Sequence, residues 1–177
     1  MPAVLLAGSG GQGVLFAGRL LAQAAMREGR NITWFPSYGA EVRGGTANCT
    51  VVISRGFIGS PIVRHPDVLV VLNEPSLRRF QERLKPQGLL VLNSSLCGRP
   101  PERGDIRVLS VPADDIALEV AGPLSANMVA LAAAAAAARL CSLESLQEAL
   151  KELTPQSKRH LLEPNLQALR QGWQHAG

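Results

Sequence analysis

The chain has 177 residues, the usual size of one domain, and its formal net charge is +4. Hydrophobic residues make up 46% of the sequence but aromatic residues only 4%, so a core of small and branched aliphatic side chains is expected. Such a core is typical of helices packed on a parallel sheet. The basic residues form no dense run, so we predict no nucleic-acid partner. The longest apolar stretch, Met128 to Ala138, is shorter than the roughly 20 residues that cross a bilayer, so no membrane segment is expected.

The first elements predicted along the chain are a strand, a tight turn and a helix. Ala3–Ala7 is a continuous apolar run that a glycine stops, and the residues from Val14 onward are apolar at helical spacing. Gly29 ends this helix, and Ile32–Phe35 has the composition of a second strand. The sequence therefore predicts that the chain begins as a βαβ unit.

A third strand and a hairpin are predicted next. Ala47–Ser54 is dense in β-branched residues, which favours a strand. Arg55-Gly56 follows it and has the composition of a turn into Phe57-Ile58, so we expect these two segments to pair as antiparallel strands.

The rest of the chain alternates strands and helices and then becomes helical. Val68–Leu72 predicts a buried strand, and Glu74-Pro75 is a typical helix start. The later elements are predicted as strands at Leu89–Asn93 and Ile106–Val111 and helices at Asp114–Val120, Met128–Leu140, Leu143–Leu150 and Gln156–Trp173. Ser125 or Asn127 is the expected cap of the helix at Met128–Leu140, and Ser142 is that of the helix at Leu143–Leu150. The pattern predicts an α/β fold that is Rossmann-like, with a mostly parallel sheet, flanking helices and a helical C-terminal part, as a single domain over 1–177.

The cysteines and histidines do not form a metal-binding pattern. Cys49, Cys97 and Cys141 are odd in number and far apart, without a C-x-x-C pair, and the three histidines lack the spacing of a zinc site. We therefore predict no metal site and no disulfide framework. The N-terminus lacks the charged segment of a signal peptide, so a cytoplasmic location is expected.

A glycine-rich loop follows the first predicted strand. Gly8–Gly13 fits the pattern G-x-G-x-x-G between a strand and a helix, where backbone N–H groups and the helix dipole can hold a phosphate. The candidate cofactor-binding residues are Gly8, Gly10, Gly11, Gln12 and Gly13. The alternative is a glycine turn that only lets the helix pack closely on the sheet.

Two common nucleotide-binding functions would need residues that are missing at the expected places. A dinucleotide dehydrogenase has an acid about 20 residues beyond the loop, at the end of the second strand. Here that strand ends at Phe35-Pro36 and the next acid is Glu41. A P-loop would continue with lysine and serine or threonine, whereas Gly13 is followed by Val14-Leu15. A free-standing NAD(P)- or nucleotide-binding Rossmann-like protein and a nucleotide-sensing regulatory module stay open as alternatives.

The segment Ser37–Cys49, between the second and third strands, is the second candidate site. It combines an aromatic residue, two opposite charges and a glycine pair, which together indicate a contact surface. The candidate interface or ligand-facing residues are Tyr38, Glu41, Arg43, Gly44 and Gly45. The alternative is an ordinary surface loop whose exposed ion pair contributes little energy.

The glycine loop and Ser37–Cys49 together resemble the gamma subunit of 2-oxoacid:ferredoxin oxidoreductases. The resemblance continues through Asn73-Glu74-Pro75, Asn127-Met128 and Glu163–Leu169, so it covers essentially the whole chain. Within the family, the run Ser-Tyr-Gly-Ala-Glu-Val-Arg-Gly-Gly-Thr-Ala-Asn-Cys is most similar to the 2-oxoglutarate type. Pyruvate and indolepyruvate relatives carry different versions of this segment.

The resemblance implies that the chain supports a reaction carried out by a complex. Such enzymes oxidatively decarboxylate a 2-oxoacid on thiamine diphosphate, pass the electrons through iron–sulfur clusters to ferredoxin, and form an acyl-CoA. The Gly-Asp-Gly pattern that binds thiamine diphosphate and magnesium is absent here, as are cluster cysteines. These cofactors are therefore expected in alpha, beta and ferredoxin-like delta subunits, with ferredoxin as an indirect partner.

What the resemblance implies for this chain is correspondingly limited. We expect it to bind no cofactor tightly, to supply no catalytic residue and to be inactive alone, although the isolated chain could form a homodimer. Its contribution is hypothesised to be the positioning of coenzyme A, with the glycine loop holding a phosphate and Tyr38 or Arg43 facing the partner subunits.

Overall fold

The computed structural model describes residues 1–37 and 46–177, which form a six-stranded sheet with helices on both faces. The strands are β1 (Ala3–Ser9), β2 (Asn31–Ser37), β3 (Thr46–Ser54), β4 (Val68–Val71), β5 (Leu89–Asn93) and β6 (Arg107–Val111). The helices are α1 (Val14–Arg27), α2 (Glu74–Phe80), α3 (Ala113–Val120), α4 (Ala126–Ala138), α5 (Leu143–Leu153) and α6 (Leu162–Ala176). Short 3-10 turns occupy Gln81–Arg83, Pro123–Ser125 and Gln156–Leu161. None of the helices described in these two ranges is long and apolar enough to cross a membrane.

The order of the strands is β2-β3-β1-β4-β5-β6. β1, β4, β5 and β6 are parallel, and β3 runs antiparallel to both of its neighbours. The predictions of an α/β, Rossmann-like fold and of a helical C-terminal part are confirmed. The opening βαβ unit differs from a simple one because β3 lies between β1 and β2, so the two strands that α1 connects do not touch.

The predicted hairpin after the third strand was wrong. Phe57 and Ile58 lie outside any strand, and Phe57 is 92% exposed. The physical reason is that both edges of β3 are already hydrogen-bonded, one to β1 and the other to β2. No edge of β3 is left for a further strand.

The two faces of the sheet have different coverings. On one face, residues of β1, β3, β4 and β5 pack against α1, α3, α4, α5 and α6 in the larger cluster of buried residues. On the other face, Leu5, Leu69 and Leu90 pack against Leu77 and Phe80 of α2. Because α1 and α2 cover opposite faces, the chain leaves β1 and β4 in opposite directions.

Helix α4 lies at the centre of the helical layer that contains the larger cluster of buried residues. Residues 126–135 of this helix are all buried, and most of them are alanine. Small side chains allow close approach, and α6 packs on α4 through Gly172. A Cβ at position 172 would overlap the backbone carbonyl of Val129, so glycine is required by the distance between the two helices.

Side-chain caps define the starts of two helices. The Asn73 carboxamide oxygen accepts a hydrogen bond from the Ser76 N–H at 3.1 Å at the start of α2, and the Ser142 hydroxyl accepts one from Ser145 N–H at 3.1 Å at the start of α5. The Ser142 cap was predicted. Of the two predicted caps of α4, Ser125 occupies the N-cap position, although its side chain makes no cap hydrogen bond, and Asn127 lies inside the helix.

Gly172→Ala tests the contact between α4 and α6. The added methyl group collides with backbone atoms that cannot rotate away, so we expect the free energy of unfolding to fall by about 3 kcal/mol. Urea denaturation of the purified chain measures this change. Gly104→Ala is the control, because a Cβ at position 104 meets no atom within 4 Å, and its effect should stay within about 0.5 kcal/mol. Equal effects of the two substitutions would contradict the packing argument.

Candidate functional site

The glycine loop lies at a topological switch point of the sheet. β1 and β4 are parallel neighbours, and the helices that follow them cover opposite faces. In open α/β sheets, a crevice forms at the carboxyl ends of such a pair, and ligands bind there. Gly8 and Ser9 are the last residues of β1, so the predicted loop is placed at this crevice.

Two glycines of the loop have left-handed backbone conformations. Gly11 has φ 94° and Gly13 has φ 71°, values that favour glycine. Gly13 is the N-cap of α1, and its carbonyl accepts the hydrogen bond of Ala17 N–H at 3.0 Å. The first turn of α1 has no acidic residue, so no side chain of that turn neutralises the positive end of the helix dipole. The loop therefore presents a backbone surface that suits an anion.

The side chain of Gln12 bridges the ends of β1 and β4. Its Oε1 accepts a hydrogen bond from Ser9 N–H at 2.7 Å, and its Nε2 donates one to the Leu72 carbonyl at 3.3 Å. A Cβ on Gly8 would lie 2.7 Å from Gln12 Oε1, so glycine at position 8 makes room for this side chain. Gln12 was predicted to bind a cofactor; both of its polar groups bond within the protein, and the ligand contact stays a prediction.

A second amide continues the polar network along the sheet edge. Asn93 is fully buried at the end of β5, and its Nδ2 donates to the Leu72 carbonyl at 3.0 Å and to Asp114 Oδ2 at 2.6 Å. Its Oδ1 accepts a hydrogen bond from Ala113 N–H at 3.1 Å. The Leu72 carbonyl thus accepts from Gln12 and Asn93 together, which ties the ends of three parallel strands to one another.

Asn127 fastens the other side of the loop. This side chain is 7% exposed; its Nδ2 donates to the Gly13 carbonyl at 3.1 Å, and its Oδ1 accepts from Met128 N–H at 2.9 Å. A Cβ on Gly13 would overlap the Asn127 side chain, so the loop and the start of α4 are in direct contact. Sequence reasoning missed this function for Asn127. A single polar residue in an apolar helix was the available signal, because a buried amide requires partners.

A cleft of about 360 Å³ opens beside Gly13 and Asn127. It lies between α1, the start of α4 and the residues that connect α5 to α6. Its apolar lining includes Phe16, Leu124, Met128, Leu153 and Leu161. Arg19 and Lys158 also line it and are exposed to solvent. The cleft therefore combines an apolar surface with positive charge next to the glycine loop.

Most of the second candidate segment lies outside the residues that the structure describes. Tyr38, Glu41, Arg43, Gly44 and Gly45 lie outside the described residues. The residues that flank them are described: Ser37 pairs with Asn48 in β3, and Thr46 pairs with Ser9 in β1. The two segments that the sequence singled out therefore join the sheet at the same edge.

The three cysteines are buried thiols. Burial raises the pKa of Cys49, Cys97 and Cys141 to about 12 in each case, so they are protonated at neutral pH. A protonated thiol is a poor nucleophile and a poor metal ligand. Among residues 1–37 and 46–177, no three His, Cys, Asp or Glu side chains lie close enough to hold a metal ion.

Comparison with known families identifies the chain. A family model described as pyruvate ferredoxin/flavodoxin oxidoreductase matches residues 3–175. The chain belongs to this family. The resemblance to its gamma subunits, inferred from the glycine loop and Ser37–Cys49, is thereby confirmed.

Curated relatives within the family differ in length. The ketoisovalerate oxidoreductase subunit VorA of Methanothermobacter thermautotrophicus is 43% identical over 171 residues, which are 96% of this chain and 35% of VorA. This chain thus spans about a third of that relative. The 2-oxoglutarate synthase subunit KorC of Archaeoglobus fulgidus is 33% identical over 172 residues, covering 97% of this chain and 86% of KorC. These relatives give no support to a free-standing NAD(P)-dependent dehydrogenase.

Solved structures show the same fold in the same family. The gamma subunit of a keto/oxoacid ferredoxin oxidoreductase from Geobacter sulfurreducens has a TM-score of 0.87 and 29% identity, over 99% of this chain and 98% of that one. A 2-oxoglutarate:ferredoxin oxidoreductase from Magnetococcus marinus, solved with 2-oxoglutarate, coenzyme A and succinyl-CoA bound, has a TM-score of 0.89 and 26% identity. That match covers 99% of this chain and 31% of the longer one.

Gln12→Met tests whether the Gln12 amide holds the loop. Methionine has a similar length but leaves Ser9 N–H without its partner and removes one donor to the Leu72 carbonyl, so we expect the free energy of unfolding to fall by about 1–3 kcal/mol. Amide exchange at Ser9 should become faster. Gln156→Met is the control, since Gln156 is exposed and makes no side-chain hydrogen bond within the described residues. If both variants unfold at the same urea concentration as the original protein, the Gln12 bonds contribute nothing.

Proposed function

We propose that this chain is the gamma subunit of a 2-oxoacid:ferredoxin oxidoreductase and acts only in a complex with alpha, beta and ferredoxin-like delta subunits. The observation that carries the proposal is the length of its relatives. The domain matches nearly the whole of the Geobacter gamma subunit but about a third of the VorA and Magnetococcus chains. In one family, this domain is found both as a separate chain and as part of a longer chain. Such a domain is expected to function in contact with the other domains or subunits of the same enzyme.

In this proposal the reaction centre lies in the partner subunits. Thiamine diphosphate with magnesium would supply the decarboxylation chemistry there, and iron–sulfur clusters would carry the electrons to ferredoxin. The described residues of this chain fit neither group, because they offer no cluster of metal-ligating side chains and their thiols are protonated. Three free, buried cysteines also agree with a reducing cytoplasm, which we infer as its location.

The contribution of this chain is proposed to be part of the coenzyme A site. The glycine loop offers backbone N–H groups at the start of α1, the nearby acid-free first turn favours a phosphate, and Gln12 and Asn127 hold the loop in place. One of its solved relatives contains coenzyme A. The chain would bind and orient the phosphates, and the partner subunits would carry out the chemistry at the thiol end.

We propose 2-oxoglutarate as the substrate of the complex. The support is the Ser37–Cys49 segment, KorC relatives that match over most of their length, and the high TM-score to a 2-oxoglutarate enzyme. A branched-chain 2-oxoacid is the second candidate, favoured by the 43% identity to VorA. A pyruvate synthase subunit PorC is a further relative, at 36% identity over 155 residues.

Reconstitution tests the proposed subunit function and substrate. Tagged chain co-expressed with its partners should co-purify with alpha, beta and delta chains, and the complex should reduce ferredoxin when given 2-oxoglutarate and coenzyme A. We expect kcat/KM to be at least about tenfold higher for 2-oxoglutarate than for pyruvate or branched-chain 2-oxoacids. Reduction of NAD(P)+ by the isolated chain would refute the subunit function, and preferential use of another 2-oxoacid would refute the substrate.

Gly10→Asp tests the proposed phosphate contact. Gly10 is exposed in the loop, and a carboxylate there would repel a phosphate, so the Kd of the assembled complex for coenzyme A should rise by at least about tenfold. Gly10→Asn is the matched control, because asparagine has the same shape without the charge. Calorimetry measures both affinities, and size-exclusion chromatography confirms assembly. Equal affinities of the two variants would exclude a phosphate at the loop.

A further inference from the structure

The two edges of the sheet differ in how they are protected from a further strand. β6 forms one edge and has five residues. Its Val108 and Ser110 point their backbone groups away from the sheet, because Arg107 and Val111 bond toward β5. His175 of α6 places its Nε2 at 3.0 Å from the Ser110 carbonyl oxygen, and Arg107 adds a charge to the strand. A short strand with a charge and a blocked carbonyl is a protected edge.

β2 forms the other edge, and its backbone is open to a further strand. It is seven residues long, and none of them is charged. In an antiparallel ladder, the N–H and C=O of one residue point to the same side, and this side alternates along the strand. Ile53 N–H donates to the Pro2 carbonyl on the β1 side, so Ile32, which lies opposite Ile53, does not bond to β3. The backbone groups of Ile32 and Trp34 therefore point out of the sheet, and no described residue bonds to them.

Large apolar side chains lie exposed on both faces of this edge. Phe35 projects on the same face of the sheet as Leu5, the face that α2 covers further along, and it is 49% exposed. On the opposite face, Gly18 of α1 lies against Trp34, because a Cβ on Gly18 would be 3.1 Å from the indole Nε1. Met26 follows about two turns later on the same side of α1 and is 53% exposed. Exposed apolar side chains beside unpaired backbone groups indicate a surface that another chain covers.

A second copy of β2 has the complementary order of donors and acceptors. In antiparallel pairing about a two-fold axis at Thr33, Ile32 of one copy lies opposite Trp34 of the other, and each donates its N–H to the carbonyl of its counterpart. Pro36, which has no N–H, then lies outside the ladder. The same register sets a β-branched side chain beside an indole ring twice, which is a favourable cross-strand pair. Because β2 carries no charge, pairing with itself opposes no like charges.

We propose that two copies of this chain pair through the free edge of β2, antiparallel about a two-fold axis at Thr33, so that their sheets become one continuous sheet. The pairing gives the homodimer expected from the sequence a defined surface. It goes beyond the proposed function, because it joins this chain to its own copy and not to alpha, beta or delta subunits. A strand of another subunit could use the same edge, but it would not be bound to the register that the two-fold axis imposes.

Light scattering during size-exclusion chromatography of the purified chain, over a dilution series, tests the pairing and its register. Asn31 and Phe35 are exposed, and the proposed register sets Phe35 of one copy opposite Asn31 of the other. The double variant Asn31→Lys with Phe35→Lys opposes two like charges at both ends of the ladder, so the Kd of the dimer should rise by at least about tenfold. The matched variant Asn31→Glu with Phe35→Lys opposes unlike charges at the same positions, and its dimer should be at least about tenfold tighter than that of the double lysine variant.

Amide hydrogen exchange identifies the edge directly. In the dimer, the N–H groups of Ile32 and Trp34 should exchange at least about tenfold more slowly than in the dissociated chain. The N–H groups of Thr33 and Phe35 should change little, because they bond to β3 in both states. Phe57→Lys is the control for surface hydrophobicity, since Phe57 is exposed outside any strand, and it should leave the Kd of the dimer within about twofold.

Several results would overturn the proposal and leave the proposed function untouched. A chain that stays monomeric over the dilution series would do so, as would equal dimer stability in the two charge variants. Unchanged exchange of Ile32 and Trp34 in a dimer would place the contact on another surface, and an equal loss in Phe57→Lys would reduce it to hydrophobicity. Protection of these amides in the reconstituted complex alone would assign the edge to a strand of another subunit. Co-purification with alpha, beta and delta chains tests the proposed function separately.

Discussion

The hydrogen bonds at the carboxyl edge of the sheet are the constraint on which the site depends. Gln12 and Asn93 donate to the same carbonyl of Leu72, and Asn127 donates to the carbonyl of Gly13. A glycine-rich loop has high conformational freedom and gains little from its own side chains. Here, the Gln12 amide bonds Ser9 at one end of the loop, and the Asn127 amide of α4 bonds Gly13 at the other end.

These internal contacts explain why glycine occupies positions of the motif more fully than the binding of a phosphate would. Gly8 leaves space for Gln12, Gly13 leaves space for Asn127, and Gly11 adopts a left-handed conformation. Each of these requirements for glycine comes from contacts or backbone geometry within the protein and involves no ligand. At the crevice between β1 and β4, where a dinucleotide fold holds its pyrophosphate, the Gln12 side chain bridges the ends of the two strands. Gly13, at the end of the loop, contacts Asn127 and lines the cleft.

The packing of the C-terminal helices places the rest of the site. Because the buried turns of α4 are mostly alanine, α4 and α6 approach until Gly172 contacts the backbone of α4. This close approach brings the residues before α6 near the start of α1. Lys158 and Arg19 come to line one cleft as a result. A change that pushes the two helices apart would therefore act on the cleft as well as on stability.

The sequence by itself determined the fold class, most strands and helices, the Ser142 cap, the glycine loop and the family. These features are local, since hydrophobic periodicity, turn residues and short motifs are read within a few residues. The hairpin at Phe57-Ile58 failed because the pairing of a strand depends on which edges distant strands leave free. The bonds of Gln12 to Leu72 and of Asn127 to Gly13, and the convergence of Arg19 with Lys158, were decided only by the tertiary structure. They join residues far apart along the chain, and only the order of the strands and the packing of the helices bring such residues into contact.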